Sequence, residues 1–251
     1  MTKQPSAARR LFDGLKEVLL VILGALIISA LLRAFVFEPF TIPSGSMENT
    51  LQVNDKVIAQ KVTDFKRGDV IVFRDPADWV AGTGQPRSNP AAVALEFIGV
   101  LPNSSDDFLT KRVIGVPGDH VKCCDEQGRL TVNGVAVDES TYLFSAISSE
   151  YAHTPASELE FDIVVPRDSL FVLGDHRDAS ADSRCHLKAA QAGQPGAAAF
   201  VPVDQVVGAL GAIIAPFERW QQLRTPEAFA TIPDPTGEPP DQAVITQASQ
   251  C

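Results

Sequence analysis

Two hydroxyls stand two residues apart in Ile42-Pro43-Ser44-Gly45-Ser46-Met47, with a glycine between them and a proline in front. A serine hydroxyl is a poor nucleophile until a neighbouring base takes its proton. Histidine is one such base. A lysine serves as well if it is held neutral, and burial among apolar side chains disfavours the ammonium. Lys111 has that company, with Phe108-Leu109-Thr110 before it and Val113-Ile114-Gly115-Val116 after Arg112. Read as a strand, 108–116 places Lys111 and Arg112 on opposite faces, so one of the two points inward. Lysine tolerates the neutral state and arginine does not, which makes Lys111 the candidate base. In an extended segment Ser44 and Ser46 point the same way, and Gly45 lets another backbone approach closely. One serine can then attack a carbonyl while the other hydroxyl, with a backbone N–H, stabilises the tetrahedral oxyanion. That is acyl-transfer chemistry without histidine, metal or nucleotide.

A third stretch, Gly174-Asp175-His176-Arg177-Asp178-Ala179-Ser180-Ala181-Asp182-Ser183-Arg184, is dense in charge. Alone it reads as a charged turn. As a calcium loop it fails, because the twelfth position from Asp175 is His186 rather than glutamate. His176 admits a Ser-His-Asp reading with Asp175 or Asp182, but Lys111 accounts for more of the pattern. The cysteines are Cys123, Cys124, Cys185 and Cys251. Neighbouring cysteines rarely bond each other, which leaves open a bridge from Cys185 to Cys123 or Cys124 in an oxidising compartment. A zinc site from Cys123, Cys124, Cys185 and His186 lacks the usual C-x-x-C spacing.

These groups need elements to hold them. The chain has 251 residues, 45% of them apolar, enough for one large domain or two small ones. Its net charge of −10 argues against a nucleic-acid partner. Residues 1–17 are polar and carry Lys3, Arg9, Arg10 and Lys16. Val18 to Leu32 carry no charge, Arg33 interrupts, and Ala34-Phe35-Val36-Phe37 resume. Residues 18–37 would make a helix about 30 Å long, enough to span a bilayer. Arg33 falls near one end, where its stem can reach the headgroups. A cleaved signal peptide would have a shorter apolar core and a small-x-small site after it, which Ser29-Ala30-Leu31 and Arg33-Ala34-Phe35 fit poorly. Four basic residues precede the span and only Lys56 follows within reach, which places the N-terminus in the cytoplasm and residues 38–251 outside. Ser46 lies nine residues beyond Phe37, at most about 30 Å extended, so its site stays near the outer membrane surface.

The rest reads as β. Short apolar runs (Lys56–Ala59, Asp69–Phe73, Phe108–Val116, His120–Lys122, Leu130–Val132, Leu170–Leu173 and Gln205–Ile214) alternate with turn signals such as Pro117-Gly118-Asp119 and Asn133-Gly134. The expected fold is mostly β: one N-terminal transmembrane helix, then a largely antiparallel β catalytic region over 38–231. A smaller lobe falls at about 125–168. An insertion falls at 77–107, with a helical pattern over Ala91–Val100. Residues 232–251 hold Pro233, Pro235, Pro239 and Pro240 and read as a flexible tail.

Together the pieces resemble the bacterial type I signal peptidases, membrane-bound serine proteases that remove signal peptides from exported proteins. The resemblance runs from the anchor to about Ala215. It rests on Ile42–Met47 with Thr50-Leu51, on Arg67-Gly68-Asp69-Val70-Ile71-Val72-Phe73, on Lys111-Arg112-Val113-Ile114-Gly115-Val116-Pro117-Gly118-Asp119, and on Gly174–Arg184. It implies Ser46 as nucleophile, Lys111 as base and Ser44 as the oxyanion hydroxyl. It also implies Ser180 and Asp182 supporting the lysine, with Arg184 holding Asp182. The implied substrates are preproteins cut after small residues of the Ala-x-Ala type, without cofactor or metal, in the cell membrane and near the secretion translocon. Asn49 departs from the family's proline and predicts a looser turn. His176 stands where the family often has asparagine, and Gly208-Ala209-Leu210 lacks the family's basic residue. A self-cleaving Ser-Lys repressor-type protease shares such a dyad but wants no spanning helix. A non-catalytic anchored β module is the remaining alternative.

Overall fold

The computed structural model describes residues 7–62, 64–80, 89–90, 108–144, 159–191 and 193–249. Helix α1 (Ala7–Phe35) comes first. Its stretch Phe12–Leu32 has a mean hydropathy of 2.4, is long and apolar enough to cross a membrane, and buries none of itself in the protein. Water does not tolerate such a surface, and a bilayer does. The helix ends two residues earlier than the expected span, because Phe37 already begins β1 (Phe37–Thr41). The side chain of Arg33, the pattern at Ala91–Val100 and much of 77–107 lie outside what is described.

Next come β2 (Lys56–Gln60), β3 (Val70–Arg74), β4 (Phe108–Gly115) and β5 (His120–Cys123). The short pair β6 (Thr131–Val132) and β7 (Val135–Ala136) leads to β8 (Phe161–Val164) and β9 (Ser169–Leu173). A hairpin of β10 (Ala190–Gln191) and β11 (Gln194–Pro195) precedes β12 (Val201–Pro202) and β13 (Val206–Ala215). β14 (Gln221–Gln222) and β15 (Val244–Ala248) follow.

The strands form a large antiparallel sheet in the order β1-β2-β13-β3-β4-β9-β12, with β14 on β13, and a second sheet in the order β15-β8-β5-β6-β7. Strand β13 enters between β2 and β3. Apolar side chains cover the large sheet on both faces. Phe40, Val57, Ala59, Val70, Val72, Leu210 and Ile213 pack on one side, and Ile71, Phe73, Val113, Leu170, Val172 and Val201 on the other. The second sheet closes over Val121, Leu130, Val132, Phe161, Ile163 and Phe171.

The proline-rich tail does not run free. Ile232 is buried in the core of the second sheet, and β15 pairs antiparallel with β8, from Val244↔Val164 to Ala248↔Phe161. Arg167 holds Asp241 at 3.1 Å, and Asn133 donates to the Pro233 carbonyl at 2.9 Å. Composition made the segment look disordered, but a few well-spaced apolar residues bind it. The second sheet therefore starts at 120 rather than 125 and takes its outer strand from beyond 232.

The cysteine expectation changes as well. Cys123 is bonded to its neighbour Cys124, so no bridge runs from either to Cys185. Cys123 ends β5, and Cys185 places its Sγ 4.0 Å from the Ser180 carbonyl. Among the described residues no group of three or more metal-binding side chains comes together, and His186 stacks on Trp79 with ring centroids 4.8 Å apart.

Candidate active site

The segment 42–51 is nailed down by its apolar residues. Ile42, Met47 and Leu51 are fully buried in the cluster under β1 and β2. Between them Ser44, Gly45 and Ser46 form the crest of a bend. Ser44 is exposed and Ser46 is buried, and their Oγ atoms are 3.5 Å apart, on the same side as expected.

Lys111 comes to this crest from β4, where it pairs with Ile71 of β3. Its Nζ stands 2.6 Å from Ser46 Oγ, across 65 residues of chain. Lys111 is 4% exposed. Burial pushes its pKa down from 10.5 to about 8, against the pull of Asp182 and Asp175 and with help from Arg184. Desolvation wins because removing an ammonium from water costs more than these partners return.

Arg112 is buried too, at 2% exposure, so both basic residues point into the protein. The expectation that one of the pair faces solvent failed because both faces of the sheet are covered. Arg112 stays charged by pairing. Its Nε donates to Asp175 Oδ1 at 2.8 Å, its Nη1 to the Gly68 carbonyl at 2.6 Å, and its guanidinium lies 4.2 Å over the Tyr142 ring. Thr50 Oγ1 donates to the other oxygen of Asp175, which ties the end of the nucleophile segment to the same pair. Arg177 pairs with Glu139, which also accepts from the Tyr142 hydroxyl. Nothing local in the chain announces this network, because its members are far apart in sequence.

The 174–184 loop completes the surroundings. Asp182 is wholly buried and accepts from Arg184 Nε and Nη2, both at 2.8 Å, and from the Gly174 N–H at 3.0 Å. Burial alone would raise its pKa, but Arg184 and these hydrogen bonds hold it below the ordinary carboxylate range. A Cβ on Gly174 would collide with Ser180 Oγ and the Ser46 carbonyl oxygen, so only glycine lets the loop lie this close. Ser180 is buried; its Oγ makes no hydrogen bond of ordinary geometry among the described residues, although its hydroxyl lies close enough to help lower the Asp182 pKa. Asp182 acts on Lys111 through its charge, and Arg184 grips Asp182 directly. The His176 ring meets Glu48 rather than a serine hydroxyl, and Asp175 and Asp182 are bound to arginines, so no Ser-His-Asp set is assembled around His176.

Asn49 explains its own departure from proline. It sits at φ +82°, in the left-handed region, and its side-chain amide points to the Leu143 carbonyl at 3.4 Å. Proline is locked near −65° and cannot take that conformation. Asn49→Pro is therefore expected to destabilise the protein by more than about 1 kcal/mol, while Asn49→Gly costs less than that. Urea unfolding checks both. Equal stability of the proline variant would mean that residues 46–50 can reorganise.

A serine hydroxyl under a buried amine, beside a second hydroxyl and behind an apolar helix, is a site suited to acyl transfer at a membrane surface. The family model for "Signal peptidase, peptidase S26" matches residues 15–215. The signal peptidase I of Mycobacterium tuberculosis (strain ATCC 25618 / H37Rv) is 36% identical over 241 residues, which covers 89% of this chain and 80% of the relative. The probable signal peptidase I of Mycobacterium leprae (strain TN) is 36% identical over 208 residues, covering 74% and 71%. The signal peptidase I of Leptolyngbya laminosa is 30% identical over 230 residues, covering 90% of each. A solved signal peptidase I from Enterococcus faecalis V583 aligns with a TM-score of 0.32 at 21% identity, over 59% of this chain and 98% of its own, and carries no weight here. The chain belongs to the signal peptidase family, peptidase S26. It is a peptidase with a membrane-anchoring helix.

Proposed function

We propose that this protein removes signal peptides from exported preproteins, cutting after small residues of the Ala-x-Ala type with a Ser46–Lys111 dyad. The observation that carries the reading is the 2.6 Å approach of a buried Lys111 Nζ to Ser46 Oγ. Neutral Lys111 accepts the Ser46 proton as Oγ attacks the scissile carbonyl carbon. The oxyanion is received by the Ser46 N–H and the Ser44 hydroxyl. The protonated amine then gives its proton to the leaving α-amino group of the mature chain. Water, deprotonated by the same lysine, hydrolyses the ester and frees the signal peptide's carboxylate. Asp182 and Arg184 set the field around the lysine. The substrate's backbone pairs as an added strand beside the site. The family supports the preference for small residues.

The basic residues before α1 support a cytoplasmic N-terminus and an extracytoplasmic catalytic region, close to where translocated chains emerge. Only β1 and the bend lie between the helix and Ser46. A cleavage site at the end of a membrane-inserted signal helix is presented at that level. Protease accessibility from the two sides of sealed vesicles tests the orientation, and cleavage of the catalytic region from the cytoplasmic side would reverse it.

The test of the Ser44 role is kinetic. Ser44→Ala is expected to lower kcat on a preprotein about 10²-fold with KM little changed, as loss of one oxyanion donor does elsewhere. An unchanged kcat would remove Ser44 from the oxyanion hole.

A further inference from the structure

Glu48 and His176 form a side-chain pair that this mechanism does not use. His176 Nδ1 lies 3.1 Å from Glu48 Oε2. A carboxylate only accepts, so Nδ1 carries the proton that joins them. The His176 backbone N–H donates to the Ser46 carbonyl at 3.1 Å, and its ring lies against Phe144 with centroids 4.1 Å apart. On the other side, the Glu48 N–H donates to the Gly45 carbonyl at 3.0 Å. A Cβ on Gly45 would stand 2.8 Å from Glu48 Oε1, so the carboxylate lies over the glycine that separates the two hydroxyls. The nearby acids of the loop are taken, Asp175 by Arg112 and Asp182 by Arg184. The side chains of His176 and Glu48 are 17% and 36% exposed, which is too open for the pair to add much stability.

We propose that Glu48 and His176 are positioning residues, a clasp that ties the nucleophile bend to the 174–184 loop and fixes Ser46 Oγ under Lys111. The inference rests on the reading of Ser46 and Lys111 as the reacting pair. The clasp joins residues adjoining the nucleophile on one side and the backbone that holds its carbonyl on the other. A displacement of about 1 Å at such a place costs up to about 10²-fold in rate.

The experiment uses the full chain in lipid vesicles, cleaving a preprotein. Glu48→Met removes the acceptor at similar length, and His176→Phe keeps the ring against Phe144 without the N–H. Each is expected to lower kcat about tenfold with KM within about twofold, because the fault is in placement rather than substrate binding. The double variant is expected to be no worse than the poorer single, the mark of one coupled interaction. The exchanged pair, Glu48→His with His176→Glu, should recover kcat to within about threefold of the parent. The acid limb of the pH profile stays at about 8, and Tm changes by less than about 2 °C. Full kcat in either single, or a double whose loss is the product of the two, overturns the clasp. So does a limb that moves by about half a unit or more, which would make the pair a tuner of Lys111 charge. Ser46→Ala separates the two readings. If it still cleaves, the dyad has failed; if it is inactive while Glu48→Met and His176→Phe run at full rate, only the clasp has failed.

Discussion

Ser46→Ala is expected to lower preprotein cleavage by about 10⁴-fold or more, and Lys111→Arg by a comparable factor. On the proposed mechanism the first removes the atom that forms the ester. The second keeps a positive charge and a long stem but cannot give up its proton, so the hydroxyl has no base. The two losses should not multiply in the double variant, because the residues act as one unit. The same geometry fixes the pH dependence. As the proposed base Lys111 must be neutral, and burial brings its pKa to about 8. The rate should rise with pH through that value and level off above it, with roughly a tenth of the molecules competent at pH 7. An acid limb near 10.5 would mean that the amine is solvated. Retention of more than about a tenth of the rate in either single variant would mean that the bond is cut by other groups.

The largest effect on stability is expected at a residue that touches no substrate. Asp175→Ala leaves the Arg112 guanidinium buried against Gly68 and Tyr142 without its carboxylate, and it takes the acceptor from the Thr50 hydroxyl, which keeps only the donation from Arg112 Nη2 at 3.1 Å. Removing one partner of a buried pair costs about 3–5 kcal/mol. In a protein of this size that lowers Tm on the order of 10 °C. Replacing both partners by apolar side chains, Arg112→Met with Asp175→Leu, should recover much of the loss, because no uncompensated charge is then buried. Calorimetry on the full chain in detergent measures both. A small loss in Asp175→Ala would show that water reaches Arg112.

What could be read in the sequence divides along physical lines. Lys111 and the Ser44/Ser46 pair were legible because a lysine inside an apolar strand is chemically unusual and a hydroxyl pair around glycine is compact, but which of the two serines meets the lysine came only from the family resemblance. The strands were legible from short apolar runs between turn residues. Arg112 was not, because alternation separates buried from exposed only when one face of a sheet meets water. Asp175 lay within a recognised stretch, yet its arginine is 63 residues away and nothing local names it. The Glu48–His176 pair spans 128 residues and was invisible for the same reason. The tail was misread because prolines dominate its composition, while Ile232, Val244 and Ile245 settle its path.

The place of β13 has a consequence in time. Ser46 lies between β1 and β2, and Lys111 lies on β4 beside β3. The two halves are joined across the sheet by β13, whose residues 206–215 come about 150 positions after β2 in the chain. Until that strand is in place, the floor under the serine and the strand that carries the lysine are separate pieces. Closing such long loops is slow compared with forming local turns. During its own synthesis the protein therefore carries an apolar helix at its front and no working blade behind it. On the proposed reading, it becomes a protease only when most of its length has been made.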